Sequence, residues 1–361
     1  MVSHAHPAKG KAAVAATPER ISELADTLHA RIRGSIKEIS EINLQARVLS
    51  INAQIEASRA GEAGRSFGIV GQEMVSFSNR TQQAAQQLEA ETDHLVLELA
   101  EISRQLTTNV RGTRLGDLAL TNIDLIDRNL YERSCDCRWW ATDAAMVAAL
   151  ENPGKDTATH ASQRMGVILK AYTVYFDIVL ADRRGVIVAN GRPGDFATAG
   201  TTHADAEWFR SAMATGSGDE FGFQSVHPSP LVGGKRALVY SCKVGRGGDA
   251  RAEPLGVLGI VFNWDGLAQK IMHETPIDAD KRARTRVCIV NDQGDVLADS
   301  QDRMLQEKLT FGERDALFRQ KKGSLICAVG PHKCLVAHAQ SPGFETYRTG
   351  WHSLILEQLA R

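Results

Sequence analysis

The feature that most constrains this chain is its distribution of proline. Ten prolines occur in the 361 residues, yet none lies between Glu19 and Asn152, and eight lie from Pro153 onward. Because proline breaks the interior of a helix, only the first part of the chain can form long uninterrupted helices. The first 110 residues also contain just two aromatic residues, Phe67 and Phe77. We therefore predict an α+β protein in which a long helical part precedes a compact mixed domain.

Apolar residues in the helical part recur at intervals of three and four, which places them on one side of a helix. The two resulting stripes comprise Ile21, Leu24, Leu28, Ile32, Ile36, Ile39, Ile42, Ala46, Leu49 and Ala53, and then Phe67, Val70, Met74, Phe77, Thr81, Ala84, Leu88, Leu95, Leu99, Ile102 and Leu106. Gly61 and Gly64 lie between the stripes and permit a chain reversal. The pattern predicts an antiparallel helical hairpin over residues 19–112, whose stripes pack along one seam. Legs of about 40 residues would each extend about 60 Å.

The overall composition excludes several classes of protein. With 43% hydrophobic and 24% charged residues the chain is not disordered overall, and a net charge of −1 provides no basic field for nucleic acid. The longest apolar run, Leu255–Phe262, is far shorter than the roughly 20 residues of a membrane-spanning helix. We expect a cytoplasmic protein without membrane insertion, with a disordered tail over residues 1–18 and cysteines that are mostly reduced.

A long connecting helix is predicted over residues 113–152, with a flexible joint at Gly112 and Gly116. Near its end, the adjacent Trp139 and Trp140 suggest a helix laid on a sheet, with one ring directed inward and the other at the rim. Trp139 is therefore a candidate ligand contact, and anchoring of the helix to the core is the simpler role for the pair.

The remaining residues show short strand patterns bounded by glycine and proline. Two strands flank a turn at Asp182–Gly185, and a near-copy of this hairpin returns at Val287–Asp299. A short helix is predicted at Ala206–Met213, and further strands at 221–226, 236–244 and 255–263. An internal recurrence of this kind indicates two related modules in tandem, which we place at residues 153–275 and 276–361.

One stretch of the helical part, Ile42–Phe67, reads INLQARVLSINAQIEASRAGEAGRSF and is followed by IVGQEM at Ile69–Met74. It resembles the hairpin tip of methyl-accepting chemotaxis receptors, with departures at Ala46 and Arg47, where the family favours threonine and asparagine. The resemblance implies a homodimer whose hairpins form a four-helix coiled coil, and a tip that binds a coupling protein and a chemotaxis histidine kinase. By position it implies partner contacts at Leu49, Asn52, Glu56, Arg59 and Glu62, and a turn at Gly61 and Gly64. Glu56 and Arg59 also suit an ordinary helix ion pair.

Residues 115–361 resemble the double Cache sensor family, in which one long helix precedes two PAS-like antiparallel-sheet modules. The resemblance rests on the turn Leu180–Gly185, the Trp208–Phe209 pair and the strand Leu255–Ile260. It implies a small-molecule pocket in the first module, with Tyr175, Trp208, Phe209, Tyr240 and Val261 as candidate lining residues. Ala206 and Val261 stand where amino-acid-binding members carry arginine and aspartate, so we do not expect an ordinary amino-acid ligand. A plain apolar core that binds nothing is the alternative interpretation.

No phosphate-binding loop, nucleophile elbow or zinc-protease helix occurs in the sequence, so we predict no enzyme, no cofactor and no metal. The leading hypothesis is a chemoreceptor-like transducer that senses a small intracellular ligand and regulates a histidine kinase through its hairpin tip. The alternative is a non-chemotactic dimeric interaction scaffold. A thiol- or metal-dependent enzyme using Cys135, Cys137 or Cys334 is less favoured, because the first two would point to different faces of a helix.

Overall fold

A computed structural model describes residues 18–359, so the tail predicted over residues 1–18 lies outside the described residues except for Pro18. The described residues divide into two compact units, the first ending at Arg111 and the second beginning at Gly112. The α-helices are α1 (Pro18–Arg59), α2 (Arg65–Trp140), α3 (Ala144–Glu151), α4 (Lys155–Ala171), α5 (Glu207–Ala214), α6 (Trp264–Glu274), α7 (Ala279–Arg282) and α8 (Arg314–Phe318). The strands are β1 (Tyr175–Asp182), β2 (Ile187–Asn190), β3 (Gly222–Ser229), β4 (Lys235–Gly245), β5 (Pro254–Asn263), β6 (Thr285–Val290), β7 (Val296–Asp299), β8 (Lys322–Val329), β9 (His332–Gln340) and β10 (His352–Gln358). Within residues 18–359, no helix combines the length and hydrophobicity needed to cross a bilayer.

The first unit contains an antiparallel hairpin formed by α1 and the first part of α2. The chain reverses through a short 3-10 turn, Gly61–Gly64. Gly61 has a φ of +58°, a left-handed conformation that glycine adopts without steric cost. Gly64 is buried, and a Cβ at this position would overlap the carbonyl oxygen of Ala57. The reversal therefore requires one glycine for its backbone conformation and the other for close approach of the helices.

The seam between the two helices follows a strict spacing. Between residues 26 and 102, the buried positions recur every seven residues, the period of a coiled coil. They are Ile36, Asn43, Ser50, Ala57, Gly64, Gly71, Ser78, Ala85 and Thr92. In its middle, the Asn43 amide donates to the carbonyl of Ser78 at 2.8 Å, and the Ser78 hydroxyl donates to Asn43 Oδ1 at 2.7 Å. This buried polar pair fixes the register of the two helices.

The large apolar residues of the two predicted stripes do not form this seam. Leu28, Leu49, Phe67, Phe77 and Leu95 are each more than half exposed in the single chain. The prediction that the stripes pack along the seam within one hairpin is therefore wrong for these large residues. Because the seam consists mainly of small residues, the two backbones lie close together, and the larger neighbours lie outside the contact. The result is an extended apolar surface, which is unusual on a monomeric protein.

Helix α2 continues without a break through Gly112 and Gly116, where the sequence predicts a flexible joint. Both glycines are buried, and the nearest atoms to a Cβ at either position belong to strand β8. They serve close packing rather than bending. The helix ends at Trp140, and the Asp143 carboxylate caps α3 by accepting a hydrogen bond from the Ala145 N–H at 2.9 Å. The segment predicted as one connecting helix thus comprises the end of α2 and the separate helix α3.

The second unit contains two antiparallel five-stranded sheets with the same strand order. The first sheet runs β2-β1-β5-β4-β3 and the second β7-β6-β10-β9-β8. The register also shifts at the same place in each, between Leu180 and Ala181 in the first sheet and between Ile289 and Val290 in the second. The predicted tandem repeat of PAS-like antiparallel-sheet modules is confirmed.

The two faces of each sheet bury separate cores. One face of both sheets contributes to a common core with α2, α3, α4 and α6, which includes Ile123, Tyr240 and Ile289. The other face of the first sheet packs beneath α5 around Trp208. The other face of the second sheet packs beneath α8 around Leu317. Each module therefore has one face directed to the shared core and one face covered by its own short helix.

Candidate functional site

The residues predicted as partner contacts lie on the surface of the hairpin tip. Leu49, Asn52, Glu56, Arg59 and Glu62 are all exposed. The Arg59 guanidinium donates to Glu56 Oε1 at 2.7 Å, as expected for an ion pair three residues apart on a helix. Because both side chains are well exposed, this pair contributes little to stability and remains available to a partner.

A groove of about 760 Å³ lies beside the turn, and three glycines are among its lining residues. These are Gly61, Gly64 and Gly68, and the apolar Ile69 and Val75 also line the groove. Because glycine has no side chain, the backbone lies close to the surface of the groove, and an approaching partner can reach backbone groups. Arg47, which departs from the family pattern, is exposed on α1. The tip thus combines a charged pair with an open groove of low side-chain bulk.

In the second unit, the fully buried Asp127 on α2 joins the helix to the second module. Its carboxylate accepts hydrogen bonds from the Ser341 hydroxyl at 2.6 Å and the Gly343 N–H at 2.8 Å. It also accepts from the Thr349 hydroxyl at 2.8 Å and the Thr349 N–H at 3.4 Å. Four donors from one loop therefore converge on a single side chain of the helix, which makes this contact strong and directional.

A second polar contact joins α2 to the first module. The buried Arg133 guanidinium lies 5.2 Å from the ring centre of Tyr175 and 3.3 Å from Asp136 Oδ2. The Tyr175 hydroxyl donates to the Asp136 carboxylate, and burial raises the pKa of both groups. Tyr175, predicted to line a pocket, therefore anchors the helix to the sheet.

The candidate lining residues of the first module do not lie on one face of the sheet. Trp208 and Phe209 on α5 are buried together with Val261 on β5, and the Trp208 indole packs against Gly259. Tyr175 and Tyr240 belong to the core on the opposite face. The prediction that all five line one pocket is corrected on this point. Side chains alternate between faces along a strand, so residues from different strands share a face only when the register allows it.

Tyr240 lies where the two modules meet. Its hydroxyl is hydrogen-bonded to that of Tyr347, and its ring packs against Phe221 and Phe223. Trp139, the other aromatic candidate, is 69% exposed and lines a shallow depression with Gly218 and Asp219. The adjacent Trp140 is buried, so one ring points inward and the other lies at the rim, as predicted.

The first module also buries a carboxylate that sequence reasoning missed. Asp177 is fully buried and accepts hydrogen bonds from the Ile178 N–H at 2.8 Å, the Arg192 N–H at 3.0 Å and the Asn190 amide at 2.7 Å. Burial raises the pKa of Asp177 to about 6, although these hydrogen bonds oppose the rise. The carboxylate is therefore protonated more readily than that of an exposed aspartate.

Replacing Asp177 by asparagine is expected to remove part of the pH dependence of stability. Because the folded-state pKa lies above the unfolded value, the native protein loses stability as the pH rises from about 4 to about 6. A shift of about two units corresponds to about 3 kcal/mol. The free energy of unfolding should be measured with urea at pH 4 and at pH 7. Between these two pH values, that of the Asp177→Asn variant should rise by about this amount relative to that of the wild type. Parallel pH profiles for the two proteins would contradict the expectation.

Four cysteines of the second unit have environments that disfavour thiolates. Burial raises the pKa of Cys242 and Cys288 to about 12 and that of Cys327 to about 11, and it also raises the pKa of Cys334. A thiol is a nucleophile or a metal ligand chiefly as the thiolate. In the part of the chain that the structure describes, no group of three histidine, cysteine or acidic side chains is arranged to hold a metal ion.

The N-terminal third of the chain matches the model of a known protein family. Residues 2–121 match the model of the methyl-accepting chemotaxis protein (MCP) signalling domain. The methyl-accepting chemotaxis protein McpN of Pseudomonas aeruginosa is 37% identical over 117 residues, which are 31% of this chain and 21% of that protein. Protein PilJ of the same organism is 34% identical over 116 residues, 31% of this chain and 17% of PilJ. The chain spans about a fifth or less of the length of these relatives.

Solved structures resemble the C-terminal unit in fold. The ligand-binding domain of the Campylobacter jejuni chemoreceptor Tlp3, solved with L-valine, superposes with a TM-score of 0.51 at 12% identity. The match covers 69% of this chain and 93% of that domain. The same domain with 4-methylisoleucine gives a TM-score of 0.51 at 10% identity, covering 70% and 92%. The resemblance drawn from the sequence is thus confirmed in both parts: a match to a chemotaxis signalling domain and a Cache-like fold. The matched family is one of signal transducers rather than enzymes.

Proposed function

We propose that this chain is a chemoreceptor-like transducer whose C-terminal unit senses a small molecule and whose hairpin tip regulates a histidine kinase through a coupling protein. The observation that carries the proposal is the joining, in one chain, of a region that matches a chemotaxis signalling domain to a Cache-like unit. Helix α2 contributes residues to both compact units, so a change of its packing in the sensor is a direct physical input to the hairpin.

The proposed transducer acts as a homodimer. The exposed apolar stripes support this, because pairing of two hairpins would bury them in a four-helix coiled coil. Replacing both Phe77 and Leu95 by glutamate is expected to convert the protein to a monomer in sedimentation equilibrium at micromolar concentration. Gln87→Glu on the same helix is the matched control. A wild-type protein that sediments as a monomer at that concentration would contradict the dimer.

The small molecule is proposed to be intracellular and the protein cytoplasmic. Trp208, Phe209 and Val261 are buried together and remain the proposed ligand contacts of the first module, and Trp139 is a proposed contact at the surface. Cell fractionation with an antibody to the chain tests the location, and recovery in the membrane or periplasmic fraction would contradict it.

The central experiment is reconstitution with a chemotaxis histidine kinase and its coupling protein. We expect the full chain to bind the coupling protein and to change the rate of kinase autophosphorylation. If the chain bound neither the coupling protein nor the kinase, the proposal would be refuted. A non-chemotactic dimeric scaffold is the second candidate. It is supported by the exposed Arg47, which stands where the chemotaxis family usually has asparagine. For a scaffold, Arg47→Asn would leave the kinase unaffected, whereas for a transducer it would strengthen regulation.

A further inference from the structure

A polar cavity lies in the second module. It has a volume of about 430 Å³ and lies between the start of β6, the loop after β7 and the turn joining β8 to β9. Four cationic side chains line it, together with one carboxylate. They are Arg284, Arg286, Arg303 and Lys308, and the carboxylate is that of Glu307.

The carboxylates that pair with these cations lie mostly outside the cavity. Arg284 pairs with Glu357 at 3.6 Å and Lys308 with Asp295 at 3.3 Å, and neither acid lines the cavity. Arg303 lies 3.8 Å from Glu307, which is a loose contact. The lining itself therefore carries four cations and one carboxylate, and Arg284, Arg303 and Lys308 are held at 3.3 to 3.8 Å from their acids, distances that a bound anion could shorten.

One of the four cations is fixed in place. The Arg286 side chain is 10% exposed, forms two hydrogen bonds to the fully buried Asp299 at 3.0 Å and 2.6 Å, and lies 2.6 Å from Glu307 Oε1. Asp299 also accepts hydrogen bonds from the backbone N–H groups of Gln301 and Arg303, which hold the loop at the cavity wall. Burial alone would lower the pKa of Arg286, yet these hydrogen bonds raise it, so the guanidinium stays charged. The wall is thus organised before any ligand arrives.

A buried donor at the same site has no acceptor. Among the described residues, the Nε of Arg284 is buried and has no hydrogen-bond partner. An unsatisfied buried donor is costly, and an oxygen anion would satisfy it. Apolar residues, among them Leu309, Val329 and Leu356, complete the lining and can cover a short carbon skeleton.

The position of the first module that corresponds to Arg286 carries a residue of opposite charge. Arg286 is opposite Leu356 on the neighbouring strand, and Asp177 is opposite Val261 at the corresponding place in the first sheet. Asp299 corresponds in the same way to Asn190. A guanidinium therefore stands in the second module where the first module buries a carboxylate, so the two repeats differ in charge at this position.

We propose that this cavity of the second module binds a small anion with two acidic charges, such as a dicarboxylate or a phosphate. Guanidinium groups match the paired oxygens of both, and several cations favour a dianion over a monoanion. The site assigns a ligand class to the proposed sensor. A role of the bound anion in signalling rests on the proposed function. Binding itself does not, because it can be measured without a kinase.

The test is calorimetric titration and thermal unfolding of the full chain with sodium succinate, inorganic phosphate and acetate, at ionic strength matched with NaCl. We expect succinate, phosphate or both to raise the melting temperature by several degrees, and acetate to have no effect. Binding of succinate alone identifies a dicarboxylate site, and binding of phosphate alone a phosphate site. No shift with either dianion, or an equal shift with acetate, overturns the proposal.

Two variants locate the site without disturbing the Arg286–Asp299 pair. Arg303→Gln and Arg284→Gln should each weaken binding of the dianion about tenfold or more, equivalent to one lost charged hydrogen bond. Arg319→Gln, an exposed arginine of the same module that does not line the cavity, is the matched control. Unchanged affinity in both cavity variants overturns the assignment. Binding that persists without any effect on the kinase would instead contradict the proposed function.

Discussion

Replacing Asp127 by alanine is expected to lower the free energy of unfolding of the second unit by about 3 to 4 kcal/mol. The fully buried carboxylate accepts four hydrogen bonds from Ser341, Gly343 and Thr349. Alanine would leave these donors without an acceptor inside the protein, and the desolvation cost of each would remain. Urea unfolding followed by tryptophan fluorescence measures the loss.

A graded series separates the role of the carboxylate from a general effect on the helix. Asp127→Asn keeps one acceptor oxygen, so we expect a loss of about half the size. Asp124→Ala, three residues earlier on the same helix, removes a partly exposed ion pair with Arg128 and should cost less than about 1 kcal/mol. If Asp127→Ala is no more damaging than Asp124→Ala, the loop is not held by this contact.

The helical part was predictable because its signal is local and periodic. The absence of proline and the glycines of the turn specified a hairpin, and the structure places the reversal at Gly61–Gly64. The seam itself was not predicted, because the residues that recur in its heptad are mainly small rather than large and apolar. Asn43, Ser50 and Ala57 lie seven residues apart, and this spacing was available in the sequence. The large residues were assigned to a contact that a single hairpin does not make.

The strands of the modules were predicted well and the helices around them less so. Alternation of apolar residues marked β1 and β2, and the repeat of that pattern marked β6 and β7. Helix α4 was not predicted, although its buried Ala161, Met165 and Leu169 recur every four residues. The close packing of Gly112 and Gly116 against β8 was not predicted, because a glycine that permits bending and one that permits close packing look alike in a sequence.

The polar anchors lay beyond sequence reasoning because their partners are distant along the chain. Asp127 accepts from residues more than 200 positions away, and nothing local indicates such a partner. One signal was nevertheless present: Asp127 lies between Ile126 and Leu130 on the buried face of α2. A carboxylate at such a position requires buried donors, since an unpaired charge in a core is very costly. The candidate lining residues were assigned to one pocket although they lie on two faces of the sheet. The face on which a strand residue lies depends on the register with neighbouring strands, whose residues are also distant along the chain.

Exchanging the charges of the tip pair, Glu56→Arg with Arg59→Glu, is expected to reduce regulation of the kinase about tenfold or more. The exchange keeps the net charge and an ion pair three residues apart, so the hairpin itself should retain its helicity and stability. What changes is the charge pattern that a partner meets on the exposed surface beside the groove. The readouts are affinity for the coupling protein and the rate of kinase autophosphorylation.

The hairpin supplies a matched control for this exchange. Glu101 and Arg104 form an exposed pair at the same spacing on α2, with the guanidinium 2.6 Å from the carboxylate. Glu101→Arg with Arg104→Glu makes the same chemical change far along the chain from the turn and should leave kinase regulation intact. Equal losses from both exchanges would indicate a general defect of the hairpin. Intact regulation after the tip exchange would mean that these two residues do not contact the kinase or its coupling protein, and the scaffold would become the better account of the hairpin.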